Sequence, residues 1–565
     1  MLSCGRPFGE ANAPLTKTTF HGDRKRLGWN DREPDLTPAR VASGSFGLAW
    51  TSPALDSVVI GGTTYAPRIY ATPLFVENAP APRCSLDLAY VATTNAFVYA
   101  IATKKSACAS PGEIVWSTKL GTADVAAFDG GMPLGVLSTP HIELAAQRLY
   151  VTSMDATAGW QAFALDLASG RIIDGWPVTI GPSTVEPLTK NGPSVFNPEP
   201  RAVSQRSALN ASPDGGLLYV AFGGYYDGAI GFMVAVDTKK AKVVSAFAGQ
   251  PSTVNTASGG IWGPGGASVD DDGRVYATTG NSPIDTRTLP NVWGQSLLAW
   301  TPLLDLSGTY TPFNYCSMDR YDTDLGGSSP LLVPDSRLVA FGGKQGNIYL
   351  LDRDHLPGAL DRRQPCDEAK LDASSDRSIL PPEPQPQFSA RGPLNVFGPY
   401  TEDHGNFDFA RMRTSPAFFR AANGDRRLYV SGTTKARDAT GALLPTSAPP
   451  CIVSLRIGDW LSVEHANPTT LFKNPGSPVV SSNGSSNAVV WVLDENGKRT
   501  DPLVGADPTT LPHPILYAFD GETLDEIWRS KPGDLGVGGK YSTPTVVRGT
   551  ALVATDRLYA FASGR

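Results

Sequence analysis

One strand-rich unit recurs along this chain of 565 residues, and no other feature restricts its fold so tightly. Each copy opens on Ser/Thr-Pro or a close variant and continues as a short apolar strand. A second strand ending in small residues follows, then an aromatic-apolar strand that runs into Asp or a turn. Copies lie near residues 70–121, 138–176, 206–247, 262–308, 328–353, 414–460, 476–530 and 542–564. A small sheet cannot cover its own two faces, whereas sheets stacked around an axis cover one another's. The eight units therefore predict an all-β chain: an eight-bladed β-propeller of four-stranded antiparallel blades. The last unit lacks an outer strand, and SFGLAWTSPAL (45–55) is expected to supply it, so that the two chain ends pair and close the ring. On this reading residues 1–44 are an N-terminal extension and 45–565 a single propeller. The Pro-rich stretch 355–413 is then a long insertion over one propeller face.

Composition agrees. Only 18% of residues are charged, while 58 Gly and 48 Pro scattered along the chain favour turns over long helices. A net charge of −6 without a basic run argues against nucleic acid or an anionic membrane surface as partner. No stretch is long and apolar enough for a transmembrane helix. The N-terminus shows no apolar leader core, which leaves a removed leader or a cytoplasmic location open, and Cys4 is a weak sign of a lipid-modified cysteine. The six cysteines contain no CxxC. The spacings allow Cys84–Cys108 and Cys316–Cys366 as disulfides suited to an oxidising compartment, with buried or half-exposed free thiols as the alternative.

Residues 259–282, GGIWGPGGASVDDDGRVYATTGNS, carry the main chemical signal. They place a flat indole, Trp262, and an amide, Asn281, beside one blade. Asp270 to Gly273 reads as a hairpin turn. Further on, MDRYDTDLGGSSP (318–330) supplies Asp319, Asp322 and Asp324, and GGKQGN supplies Lys344. Asp in such turns also serves to cap its own backbone, and a Lys in a Gly-rich hairpin is commonly solvated. The six histidines show no metal-ligand spacing, and His404 alone is a candidate for the axial channel. No nucleophile-elbow, P-loop or Rossmann fingerprint stands in a credible setting.

From residue 259 to about 353 the chain resembles the pyrroloquinoline quinone (PQQ)-dependent alcohol and methanol dehydrogenases. The resemblance implies that Trp262 forms one face of the cofactor slot and that Lys344 contacts the quinone oxygens. It implies Asp322 as catalytic base, and Asn281, Asp322 and Asp324 as ligands of a calcium or lanthanide ion. These residue types suit that chemistry: a planar quinone needs a flat apolar floor, and a hard cation takes oxygen donors. The implied protein is periplasmic or secreted, oxidises a small-molecule alcohol and hands electrons to a separate acceptor. The chain also departs from the family. Tyr226 stands where a metal-ligating Glu is expected, with Asp227 one residue along, and the adjacent-Cys pair and haem module are missing. Trp116, Trp176 and Trp528 resemble the tryptophans that dock one quinoprotein blade on the next. Over nearly its full length the chain is similar to secreted bacterial propellers with PQQ-binding-like repeats. The alternative expectation is therefore a cofactor-free propeller, a binding or scaffold protein of the cell envelope.

Overall fold

The computed structural model of the chain describes residues 14–125, 131–224, 228–254, 256, 258–286, 289–369, 393–397, 412–432, 451–458, 461–467, 469–496 and 511–564. Tyr226, Asp227, His404 and Cys4 lie outside the described residues. The described residues form eight mainly antiparallel sheets in a ring, beside a small hairpin of Val58–Ile60 and Thr63–Tyr65, with few and short helices. The stretch 355–413 is not wholly an insertion: Leu394–Asn395 pairs with Asn347–Asp352 as the outer strand of the fifth blade. The inner strands are Leu74–Ala79, His141–Glu143, Asn210–Ala211, Ser268–Val269, Leu331–Leu332, Ala417–Arg420, Val479–Asn483 and Thr545–Val547. Each pairs antiparallel with the strand that follows it.

Second strands such as Ser486–Asp494 read as near-continuous apolar runs because neighbouring blades cover both of their faces, and Ala488 to Asp494 are all buried. Blades dock through aromatic residues. Trp116 Nε1 donates to Leu167 O of the next blade at 3.3 Å, and the ring rests on Gly170. Gly170 has φ +72°, and a Cβ there would fall 2.5 Å from the indole, so only glycine fits. Trp528 packs edge-on against Phe46 and Phe561 of the last blade, with centroids at 4.8 and 5.5 Å.

The Ser/Thr-Pro that opens each unit has a physical role. Inner strands meet neighbouring blades only near the axis, and a hydroxyl bridges the gap. Ser329 Oγ accepts Gly265 N–H at 2.9 Å, Ser415 Oγ accepts Ser329 N–H at 3.1 Å, and Ser477 Oγ accepts Ser415 N–H at 2.8 Å. Thr139 Oγ1 accepts Thr72 N–H at 2.9 Å, and the Thr72 and Thr543 hydroxyls lie 2.6 Å apart. These bonds form a partial belt, across five of the eight blade junctions. The ring closes as expected: Phe46–Thr51 pairs antiparallel with Leu558–Ser563, Phe46 opposite Ser563 and Thr51 opposite Tyr559. Both disulfides, Cys84–Cys108 and Cys316–Cys366, are present, and buried Cys451 accepts the Phe472 N–H on its sulfur at 3.2 Å.

The segment ahead of the propeller runs inside the ring. Thr16–Lys17 pairs with Val76 and Phe75, Thr18 O accepts Ile142 N–H at 2.7 Å, and Thr19 Oγ1 donates to Leu209 O at 2.7 Å. Arg24, Lys25 and Leu27 carbonyls accept from Val269, Leu332 and Phe418 at 3.0, 3.0 and 2.7 Å. Trp29–Asn30 runs parallel to Val480 and Ser481, and Asn30 Nδ2 donates to Val546 O at 2.9 Å. Residues 16–30 thus bond in turn to the inner strand, or the residue leading into it, of all eight blades. The contacted residues follow the hydroxyl belt along each strand, so this strap runs along the inner strands on one side of the belt.

Burial along the strap leaves a pH signature. His21 and His141 are both buried, and loss of hydration pushes each down to about 3. Below the ordinary value of 6.5 the unfolded chain takes up these protons and the folded one does not, so stability falls as pH drops from 6.5 toward 3. His21→Gln is expected to flatten that fall by up to about 1.4 kcal/mol per pH unit, measured as urea midpoints of both proteins between pH 4 and 7. Parallel curves for variant and wild type would contradict it.

Candidate functional site

Antiparallel pairing decides which residues can meet. An inner strand starts, and the second strand ends, on the same side of the belt. Trp262 precedes the inner strand Ser268–Val269, and Asn281 follows the second strand Val275–Thr278 of that blade. Lys344 follows the second strand Leu338–Phe341 of the next blade, and the link between the two blades carries the acidic run. That link folds as the helix Tyr315–Arg320 and the turn Leu325–Gly327, bracketing Asp322 and Asp324. All five residues therefore gather opposite the strap.

The structure brings them into contact. Lys344 Nζ lies 2.7 Å from Asp322 Oδ1 and 2.6 Å from Asp324 Oδ2, and 5.1 Å from the centre of the Trp262 ring. Asn281 Nδ2 donates to Asp322 Oδ1 at 3.2 Å, and Asn281 Oδ1 accepts from Gln295 Nε2 at 2.5 Å. As the amide stands, its nitrogen and not its oxygen faces Asp322. Leu325 N–H donates to Gln295 Oε1 at 2.8 Å, which sets the Gln295 amide and through it that of Asn281. Side-chain exposure separates the acids: Asp319 is 0% exposed, Asp324 4% and Asp322 33%, so they are not a solvated cluster. Asp322 alone offers a sizeable surface to an incoming molecule. Its backbone sits at φ 50°, a left-handed conformation that Asp tolerates better than most residues and that turns the carboxylate toward Lys344.

The indole is seated on glycine. A Cβ at Gly280 would meet Trp262 Nε1 at 3.0 Å, and one at Gly327 would meet Trp262 Cη2 at 3.0 Å. Asp319 works behind the site: it accepts Ser282 N–H at 2.9 Å and pairs with Arg363 at 3.4 Å. Burial pushes its carboxyl up to about 6, with Arg363 opposing.

Several site residues escape the motif reading. The Arg206 guanidinium lies 5.1 Å from the Trp262 ring and 4.8 Å from the Tyr541 ring. Its Nε is buried without an acceptor, and no ion pair holds it among the described residues. A partial signal for it exists: Tyr541 stands three residues before its blade-start proline, and Arg206 occupies the counterpart position before Leu209. Gln295 and Arg363 carry no such mark.

The fold is thus a ring of eight blades closed between the two chain ends, with Trp262, Lys344 and Arg206 gathered at one end of its axis. Among solved structures the chain is similar to the quinohemoprotein alcohol dehydrogenase of Comamonas testosteroni, at 15% identity and a TM-score of 0.55 over 97% of this chain and 81% of that one. It is similar to a europium-containing methanol dehydrogenase, at 14% identity and a TM-score of 0.58 over 98% of this chain and 99% of that one. A quinohemoprotein alcohol dehydrogenase of Pseudomonas putida HK5 matches at 13% identity and a TM-score of 0.57, over 98% and 81% of the two chains. At these identities the likeness establishes the fold. No protein-family model matches the chain, and no curated protein matches its sequence.

Proposed function

We propose that the chain is a quinoprotein-type oxidoreductase that oxidises a small alcohol with PQQ and a calcium or lanthanide ion, outside the cytoplasm, and passes the electrons to a separate acceptor. One observation carries this reading: a flat indole on a glycine seat, with the ammonium of Lys344 and the guanidinium of Arg206, which has no ion pair among the described residues, near its ring. A planar polyanion such as PQQ fits such a place, because the ring offers dispersion and the two cations answer its carboxylates and quinone oxygens. The carboxylates of Asp322 and Asp324 already hold one positive charge, that of Lys344, so the spot suits a hard cation. Asn281 would join them as a donor once its amide turned its oxygen inward. When bound, the quinone accepts the hydride and the ion polarises it.

The chain's own residues do the rest. Asp322, the most exposed of the acids, takes the hydroxyl proton of the alcohol. Lys344 stabilises negative charge on the oxygens of its neighbours, and Trp262 fixes the plane of the ligand. The two disulfides are compatible with a periplasmic or secreted protein. Titration with PQQ plus calcium, and separately plus a lanthanide, is expected to give a bound-quinone absorbance band and dye-linked alcohol oxidation. Absence of both with either metal would overturn the reading.

A second reading has an observation of its own. Lys344 already pairs with both carboxylates, and the Asn281 amide is committed to Gln295 and Asp322, so these four groups are paired with one another. That arrangement suits a cofactor-free binding or scaffold propeller, and the same titration separates the two readings.

A further inference from the structure

We propose that Arg363, on the arm that follows strand Asn347–Asp352, and Asp319 are positioning residues for the axial site, and that the Cys316–Cys366 disulfide holds the arm that carries Arg363. The inference rests on the quinone reading only for the ligand used below; the positioning does not depend on it.

Asp319 is joined to both halves of the site. Its carboxylate accepts the N–H of Ser282, the neighbour of Asn281, at 2.9 Å, and also accepts from the Gln295 side chain. Gln295 in turn holds Asn281 Oδ1 at 2.5 Å and the N–H of Leu325, the neighbour of Asp324, at 2.8 Å. One buried carboxylate thus sets, through one amide side chain, the orientation of Asn281 and the turn that carries Asp324.

The carboxylate needs a fixed partner, and Arg363 supplies it. Both side chains are 0% exposed. Arg363 Nη1 reaches Asp319 at 3.4 Å and Gly294 O at 3.2 Å, and the guanidinium lies 4.2 Å from the Tyr315 ring centre. A buried ion pair contributes little net stability over an apolar pair, but removing one partner leaves an uncompensated buried charge that its surroundings must shift to meet. The arm bearing Arg363 is pinned along the edge of the fourth blade. Gly358 N–H donates to Thr309 O at 2.8 Å, Gln364 Nε2 to Thr311 O at 2.6 Å, and Asp367 N–H to Phe313 O at 2.7 Å. Cys366, three residues beyond Arg363, is then bonded to Cys316 on the helix that carries Asp319. The covalent link and the ion pair therefore join the same two segments.

The test uses the whole protein. Amide hydrogen exchange is followed at Ser282 and Leu325 without ligand, and PQQ binding is titrated by tryptophan fluorescence. Arg363→Met is expected to speed exchange at both amides, to leave strand Val275–Thr278 protected, and to weaken PQQ binding on the order of ten-fold, with R363K recovering part of it. Treating wild type with a dithiol, which is oxidised as the Cys316–Cys366 bond becomes two thiols, should reproduce the R363M pattern. A C84S/C108S variant should not. If R363M fails to fold, D319N and the dithiol arm carry the same comparison. Unchanged exchange at Ser282 and Leu325 in a folded R363M protein would overturn the proposal. Wild type that binds no PQQ but shows the exchange pattern would retain the positioning and discard the quinone reading.

Discussion

Replacing Arg26 with methionine is expected to cost the propeller about 3 kcal/mol, read as a lowered urea midpoint at constant slope. Arg26 is 0% exposed, and its guanidinium is spread over four acceptors. Nε donates to Ala267 O at 3.1 Å, Nη1 to Thr19 Oγ1 and Phe20 O at 2.8 and 3.1 Å, and Nη2 to Leu209 O at 3.0 Å. Methionine fills most of the volume and donates nothing. Two of the carbonyls keep a second donor, Leu209 O from Thr19 and Ala267 O from Asn210, so they lose one bond each; Phe20 O and the Thr19 hydroxyl lose Arg26 outright. The effect is amplified by topology, because Arg26 stands midway along the strap and ties it to two blades. Removing a surface arginine such as Arg171, 66% exposed beside a still more open Asp174, should change stability by less than about 0.5 kcal/mol. An R26M loss as small as that would show that the strap is dispensable to the ring.

Asp322→Asn is expected to lower dye-linked alcohol oxidation by the reconstituted protein on the order of 10³-fold while leaving PQQ affinity nearly unchanged. The amide keeps the size of the carboxylate and can still accept from Lys344 and Asn281, and Lys344 retains Asp324 at 2.6 Å. What it loses is the ability to take a proton, together with one negative charge facing the cation, so the assay is run at saturating metal. A removed base acts on turnover more than on binding, so the loss should fall on kcat and not on KM. Turnover within about three-fold of wild type would move the base elsewhere in the pocket.

Much of the molecule is legible from local pattern. Ser-Pro and Thr-Pro mark blade starts because their hydroxyls bridge neighbouring blades, and apolar second strands mark sheets covered on both faces. The missing strand of the last blade pointed to residues 45–55, and Phe46–Thr51 fills it. The gathering of Trp262, Asn281, Asp322, Asp324 and Lys344 was legible through motif spacing, since antiparallel strand ends put these positions on one side of the belt. Arg206 was readable in principle from its repeat position. Arg363 was not: it reaches Asp319 across 44 residues, and only the path of its arm decides that meeting.

The sequence by itself determined the eight blades, the closure and the residue types at the candidate site, because each depends on short-range periodicity or on repeated units that cover one another's faces. Only the tertiary structure decided where residues 16–30 run, which atom of Asn281 faces Asp322, and that Lys344 shares its ammonium between two carboxylates. These features depend on hydrogen-bond donors and charges brought together from distant segments, where burial leaves each group few partners and one orientation.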